Sequence, residues 1–143
     1  YMNNVLSVSL YQTDYNFGTL PADSFGICTA PIYIYNEGNI TTNYGIKCSA
    51  TNRWMPAEVS GSDAFVVQAK FNTTIPASGS FTTNDTVGLV SKTSSATVFA
   101  GDATGMNIPP ADTRTLWFKY TTPKSTSTTQ PQSTTLSITA QQP

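Results

Sequence analysis

Histidine is absent from the 143 residues, and cysteine occurs only at Cys28 and Cys48. Without imidazole there is no Ser-His triad, no Cys-His dyad and no ordinary zinc or non-haem iron site. Charge is scarce as well: Asp, Glu, Lys and Arg make up 10% of the chain, against roughly 25% in an average soluble domain. Seven basic residues, scattered along the chain, face eight acidic ones for a net charge of −1. The electrostatic footprint of a nucleic-acid binder is therefore missing. No apolar run approaches the roughly 18 residues of a membrane-spanning helix, which also argues against the apolar N-terminal helix of a type IV pilin. Neither G-x-x-x-x-G-K-[ST] nor G-x-G-x-x-G occurs, so nothing cradles a phosphate and no cofactor is implied.

What remains is a polar surface of hydroxyls and amides. Thr and Ser dominate it, followed by Asn and Gln, around an apolar content of 38%. Residues 1–143 read as a single domain, long enough for a two-layer core. The central stretch is Gly26 to Ser49. Ile32 and Ile34 alternate with Tyr33 and Tyr35, and after the cluster Asn36-Glu37-Gly38-Asn39 the alternation resumes at Tyr44, Ile46 and Cys48. Folding the two runs back about Gly38 sets Cys28 opposite Cys48, Ala30 opposite Ile46 and Ile32 opposite Tyr44. A sandwich that sends the runs into different sheets is the alternative. Either arrangement reads as a β unit closed by one Cys28–Cys48 disulfide, which would contribute roughly 3 kcal/mol; two buried free thiols are the plain alternative.

The same pattern recurs elsewhere. Leu6, Val8 and Leu10 share one side of a strand within residues 1–10, and Phe65, Val67, Ala69 and Phe71 share one side of another. Asn52 to Asp63 reads as a loop anchored by Trp54. Short strands are expected near Gly88-Leu89-Val90 and at Ala96 to Phe99. After Asn107-Ile108-Pro109-Pro110-Ala111-Asp112, the side chains of Leu116, Phe118 and Tyr120 face one way and Trp117 and Lys119 the other. The Thr/Ser/Pro-rich segment Thr121 to Thr135 passes for a linker on composition. Because Leu136, Ile138 and Ala140 restore the alternation, it reads as a long hairpin loop, with a glycosylated stalk as the alternative. Seven to nine short strands, punctuated by turns and without a convincing helix, predict an all-β, immunoglobulin-like β-sandwich.

Asn16-Phe17-Gly18-Thr19, followed by a strand ending in Tyr35-Asn36-Glu37-Gly38-Asn39, resembles the "FG … N-x-G" arrangement of immunoglobulin-like modules in bacterial surface and secreted proteins. These belong to the broad group named for ASPM, SPD-2 and hydin. The Ile108-Pro109-Pro110 turn before Leu116-Trp117-Phe118 resembles the end of such modules, with Ala111 where a glycine is usual. The resemblance implies the fold and an extracellular role and brings no catalytic residue.

Candidate sites follow from residue type. Asn39-Ile40-Thr41, Asn72-Thr73-Thr74 and Asn84-Asp85-Thr86 are N-glycosylation sequons, with Asn39 expected to be the best placed. Asp63, Asp85 and Asp102 lie beside Gly, Ser or Asn and have the oxygen chemistry for calcium, but no EF-hand or repeat spacing accompanies them, capping of turns explains each at lower cost, and no metal site is assigned. Most acids sit in turn-like sequence, so no carboxylate pair is assigned to catalysis. Tyr33, Tyr35 and Trp117 are expected to point outward, the form of a glycan-stacking row. The chain opens on Tyr1 rather than Met, and with the bridge, the sequons and the low charge this favours a secreted, extracellular protein that has lost a front segment. Two functions remain. The first is a structural subunit, not an enzyme, that packs with copies of itself into a fibre, pilus-like appendage or surface coat. Residues 1–10 are its candidate exchanged strand, through Leu6, Val8 and Leu10. The second is a carbohydrate-binding or adhesive module using Tyr33, Tyr35 and Trp117.

Overall fold

The computed structural model describes residues 3–143; Tyr1 and Met2, the first residues of the candidate exchanged strand, lie outside them. Ten strands follow one another: β1 (Val8–Tyr11), β2 (Phe25–Ile27), β3 (Ile32–Asn36), β4 (Asn43–Cys48), β5 (Met55–Pro56), β6 (Ala64–Phe71), β7 (Thr86–Val87), β8 (Lys92–Thr93), β9 (Thr113–Thr121) and β10 (Leu136–Gln141). The larger sheet has the order β1-β3-β9-β6-β5, with β2 also against β9 and β7 against β6. The smaller has the order β10-β4-β8. All pairings between these strands are antiparallel except the two-residue β5–β6 contact.

Alternation decides which side chains meet. Ile32 and Ile34 of β3, Leu116 and Phe118 of β9, and Phe65, Val67, Ala69 and Phe71 of β6 form the inner face of the large sheet. Tyr44, Ile46 and Cys48 of β4 form that of the small sheet, and Val87, Phe99 and Ile108 join the same core. Tyr44 stacks on Phe71 across the interface, with ring centroids 6.3 Å apart. The small sheet leaves part of the large one uncovered. The irregular segment 12–24 closes this gap, its Tyr15 and Phe17 set edge-on against Phe118.

The stretch from Gly26 to Ser49 departs from its simplest reading. β3 and β4 do not pair: β3 lies between β1 and β9, and β4 between β10 and β8. The cluster 36–39 is therefore a crossover between sheets. Asn36 makes it so. Its buried side-chain amide donates to the carbonyls of Ile40 and Ile108, each at 3.0 Å, and its Oδ1 accepts from the Gly38 amide at 3.0 Å. Both cysteines are buried free thiols, correcting the expected disulfide. Cys28 ends the β2 side of the large sheet, where its Sγ accepts from the Phe118 amide at 3.4 Å; Cys48 ends β4, and its Sγ donates to the Val87 carbonyl at 3.6 Å.

Other corrections are local. Gly88 to Val90 and Ala96 to Phe99 are irregular bends, and the strands nearby are β7 and β8. Single 3-10 turns cover Ser78–Ser80 and Thr83–Asp85. Thr121 to Thr135 links β9 of one sheet to β10 of the other and so is not a hairpin loop. It is tied down along its length: Trp54 Nε1 donates to Thr126 Oγ1, and the Ser127 amide and hydroxyl both donate to Asp63. Those bonds hold the Asp63 carboxyl below its usual range. The tether is thus intact at neutral pH and is lost only as the pH falls through that lowered value.

Replacing Asn36 by Ala removes three hydrogen bonds and leaves the Ile40 carbonyl unpartnered, while the Ile108 carbonyl keeps the Thr42 amide and the Gly38 amide keeps the Ser7 carbonyl. At roughly 1 kcal/mol for each lost bond, Asn36→Ala is expected to cost about 3 kcal/mol in urea unfolding, and Glu37→Ala next to it almost nothing. Equal effects for the two would show that the amide does not hold the crossover.

Candidate functional site

Each sheet ends in strands of contrasting chemistry. The β5 end carries Pro56 and the β8 end carries Lys92, both of which discourage another strand from pairing. At the opposite ends lie β1 (V-S-L-Y) and β10 (L-S-I-T-A-Q), which contain neither proline nor charge. Of the candidate exchanged residues, Val8 and Leu10 are half-buried against the core, while Leu6 precedes the strand and is exposed. In this chain β1 pairs with its own β3, Val8 opposite Asn36 and Tyr11 opposite Tyr33. Ahead of β1, backbone bonds run from the Glu37 and Gly38 amides to the Ser7 carbonyl and from the Asn39 amide to the Val5 carbonyl. The Asn39 side chain completes the clamp, accepting from the Val5 amide at 2.8 Å and donating to the Asn3 carbonyl at 2.9 Å.

The outer face of the large sheet divides in two. Over β6 and β9 it is covered by the excursion from Asn72 to Asp85, whose Pro76, Phe81 and Asp85 are buried. Trp117 lies beneath, only 8% exposed, with Nε1 donating to the Asn72 carbonyl at 3.0 Å. It is not available to a sugar ring, which corrects the expectation for that residue. Lys70 lies on the same face and meets Asp85 at 3.2 Å, both side chains being buried. Asp85 also accepts from the Thr82 amide, closing a capping box.

Over β1 and β3 the outer face is open. Tyr33 is 45% exposed, Tyr35 is half-buried, and Tyr11, which sequence reasoning passed over, is 58% exposed directly opposite Tyr33. Thr115 stands opposite Tyr33 on the other side, and Thr113 opposite Tyr35. A cleft lined by Asn72, Thr73, Asp102 and Arg114 adjoins these threonines.

The sequons differ in what their amides already do. The Asn39 amide serves the clamp, and the Asn72 amide donates to the Thr74 carbonyl and accepts from the Asp102 amide. Asn84 is exposed, and among the described residues its side-chain amide makes no hydrogen bond, so it and not Asn39 is the best placed. The three aspartates considered for calcium all organise loops: Asp63 holds Ser127, Asp85 holds Lys70 and Thr82, and Asp102 holds the amide and hydroxyl of Thr73. Among the described residues no three of His, Cys, Asp and Glu converge as a metal site. In comparisons with protein-family models, curated proteins and solved structures, no significant match to this chain was found.

Two outcomes check this assignment of roles. Burial pushes the Cys28 thiol up and the Cys48 thiol up to about 11, so little thiolate exists at pH 8. Native protein is expected to resist alkylation there and to yield two thiols per chain once unfolded without reductant; unfolded protein with no free thiol would contradict the structure. Asp85→Ala removes the partner of a buried ammonium, a loss of roughly 3–5 kcal/mol. Chemical denaturation measures it, and a loss below about 1 kcal/mol would mean that Lys70 reaches solvent.

Proposed function

We propose that this chain is an extracellular structural subunit, an immunoglobulin-like β-sandwich that assembles with copies of itself into a fibre or coat through its sheet edges. The observation that carries the reading is the contrast between edges: β5 and β8 hold the proline and lysine that block pairing, while β1 and β10 hold neither. An unblocked edge presents a row of backbone donors and acceptors to any strand of matching length. The strand order β1-β3-β9-β6 on one side and β10-β4 on the other supports the immunoglobulin-like reading. The near-zero net charge lets copies approach without repulsion. Asp63, Asp85, Asp102 and Asp112 are engaged in holding loops and local ion pairs, which supports a non-enzymatic role. The exposed Asn84 sequon is consistent with a glycosylated surface protein.

Purified full-length chain, concentrated and viewed by negative-stain microscopy, is expected to form filaments or sheets. Thr139→Lys, which puts a charge at an exposed position of β10, is expected to reduce assembly at least tenfold while leaving the melting temperature within about 2 °C. A monomer at every concentration tested would contradict the reading.

A second reading draws on the open tyrosine face. Tyr11 and Tyr33, flanked by Thr115 and the Asn72–Asp102 cleft, combine flat aromatic surface with hydrogen-bonding groups, the chemistry that holds a glycan. Retention of the monomer on insoluble polysaccharide, lost in Tyr33→Ala, would favour it over assembly.

A further inference from the structure

We infer that the strand seated on β3 is supplied by a second copy of this chain: residues 3–11 of one subunit occupy the β3 edge and the 37–39 loop of the next. The inference rests on the assembly reading above and names its contact.

The receiving surface is built for backbone. Gly38 lies so close under the N-terminal segment that a Cβ there would strike the Val5 carbonyl oxygen. Glu37, Gly38 and Asn39 aim their amides at the Ser7 and Val5 carbonyls, and the Asn39 side chain holds the backbone on both sides of Asn4. Beyond the clamp, Val8 and Leu10 face inward opposite Asn36 and Ile34, beside the core. Every one of these interactions lies between residues 3–11 and the rest of the fold. A second copy's residues 3–11 therefore satisfy the same partners in the same register, which makes exchange between copies low in cost.

The connection to the rest of the chain is equally suited to opening. Gln12 directly follows β1 and has φ 67°, the left-handed region that non-glycine residues avoid. Gln12, Thr13 and Asp14 are exposed, and among the described residues no hydrogen bond engages residues 12–15 outside the strands. The next firm anchor is aromatic, Tyr15 against Phe118 with centroids 4.9 Å apart. Extending the backbone at Gln12 releases strain and swings β1 away without breaking a bond that exchange does not restore. What opposes it is the entropy of association, so concentration decides the balance.

Tyr11 and Tyr33 sit opposite each other on the open outer face, which makes the partner of β1 readable by cross-linking. Full-length Tyr11→Cys and Tyr33→Cys chains, mixed in equal amounts in denaturant and refolded together at high concentration, are treated with a short thiol-reactive cross-linker. The native thiols are buried. Exchange predicts that the assembled fraction yields a species of twice the chain mass joining the two variants, at least tenfold above either variant alone. A chain carrying both cysteines, diluted to a monomer, should link only within itself. Assemblies that give the intrachain link alone in the double variant, and no mixed dimer, overturn the inference while leaving edge-to-edge assembly standing. Discrete cross-linked two-chain particles support exchange and contradict a fibre. The absence of any assembled fraction overturns both.

Discussion

The fold turns on one buried amide. Asn36 is the last residue of β3, and its side chain closes the 36–40 turn while reaching Ile108, on the segment that leads into β9. Three contacts from one side chain therefore carry the chain out of the large sheet, seat the start of the small one, and fix the approach to the longest strand. The Asn36 backbone is engaged too: its amide donates to the Asp112 carbonyl and its carbonyl accepts from Ala111. A buried primary amide tolerates this role only because its donors and acceptor are all satisfied. The same turn positions Gly38 and Asn39 to grip the N-terminal segment, so the constraint that shapes the core also shapes the edge assigned to assembly.

This explains how much of the fold was legible in sequence. Alternation located β3, β4, β6, β9 and β10, because each buries one face and exposes or differently covers the other. It also placed Leu116 and Phe118 against Trp117 correctly. Partner choice was not legible. A hairpin about Gly38 satisfies the same alternation as a crossover, and what separates them is Asn36 reaching Ile108, 72 positions away. The disulfide expectation followed from either arrangement, and it is the two buried free thiols that correct it. Trp117 was misjudged for a related reason: its outer face is covered by 72–85, a segment with no strand period to announce that it packs on anything. At the open face the failure was the reverse. Tyr11 gave no signal because it is the last residue of the strand, one position beyond the alternating Leu6, Val8 and Leu10.

The candidate site follows the same division. That Val8 and Leu10 turn inward on one strand was readable from period alone; that the strand begins only at Val8 and that its edge is unblocked was not, since blocking depends on which strands end each sheet. Pro56 and Lys92 acquire meaning only once β5 and β8 are known to lie at the far ends. The chain thus keeps charge off β1 and β10, the edges it presents, and places Lys92 at one of the edges it closes.

Central to this account is a terminal strand that leaves as a unit while the sheets behind it stay folded. Native-state amide hydrogen exchange on dilute monomer measures that separation residue by residue. The account predicts that the amides of Glu37 and Asn39, which bond to Ser7 and Val5, open at least tenfold more often than those of the β6–β9 ladder, and that they do so together. Protection of these amides equal to that of β6 and β9 would mean that the strand opens only when the whole domain unfolds, and would contradict it.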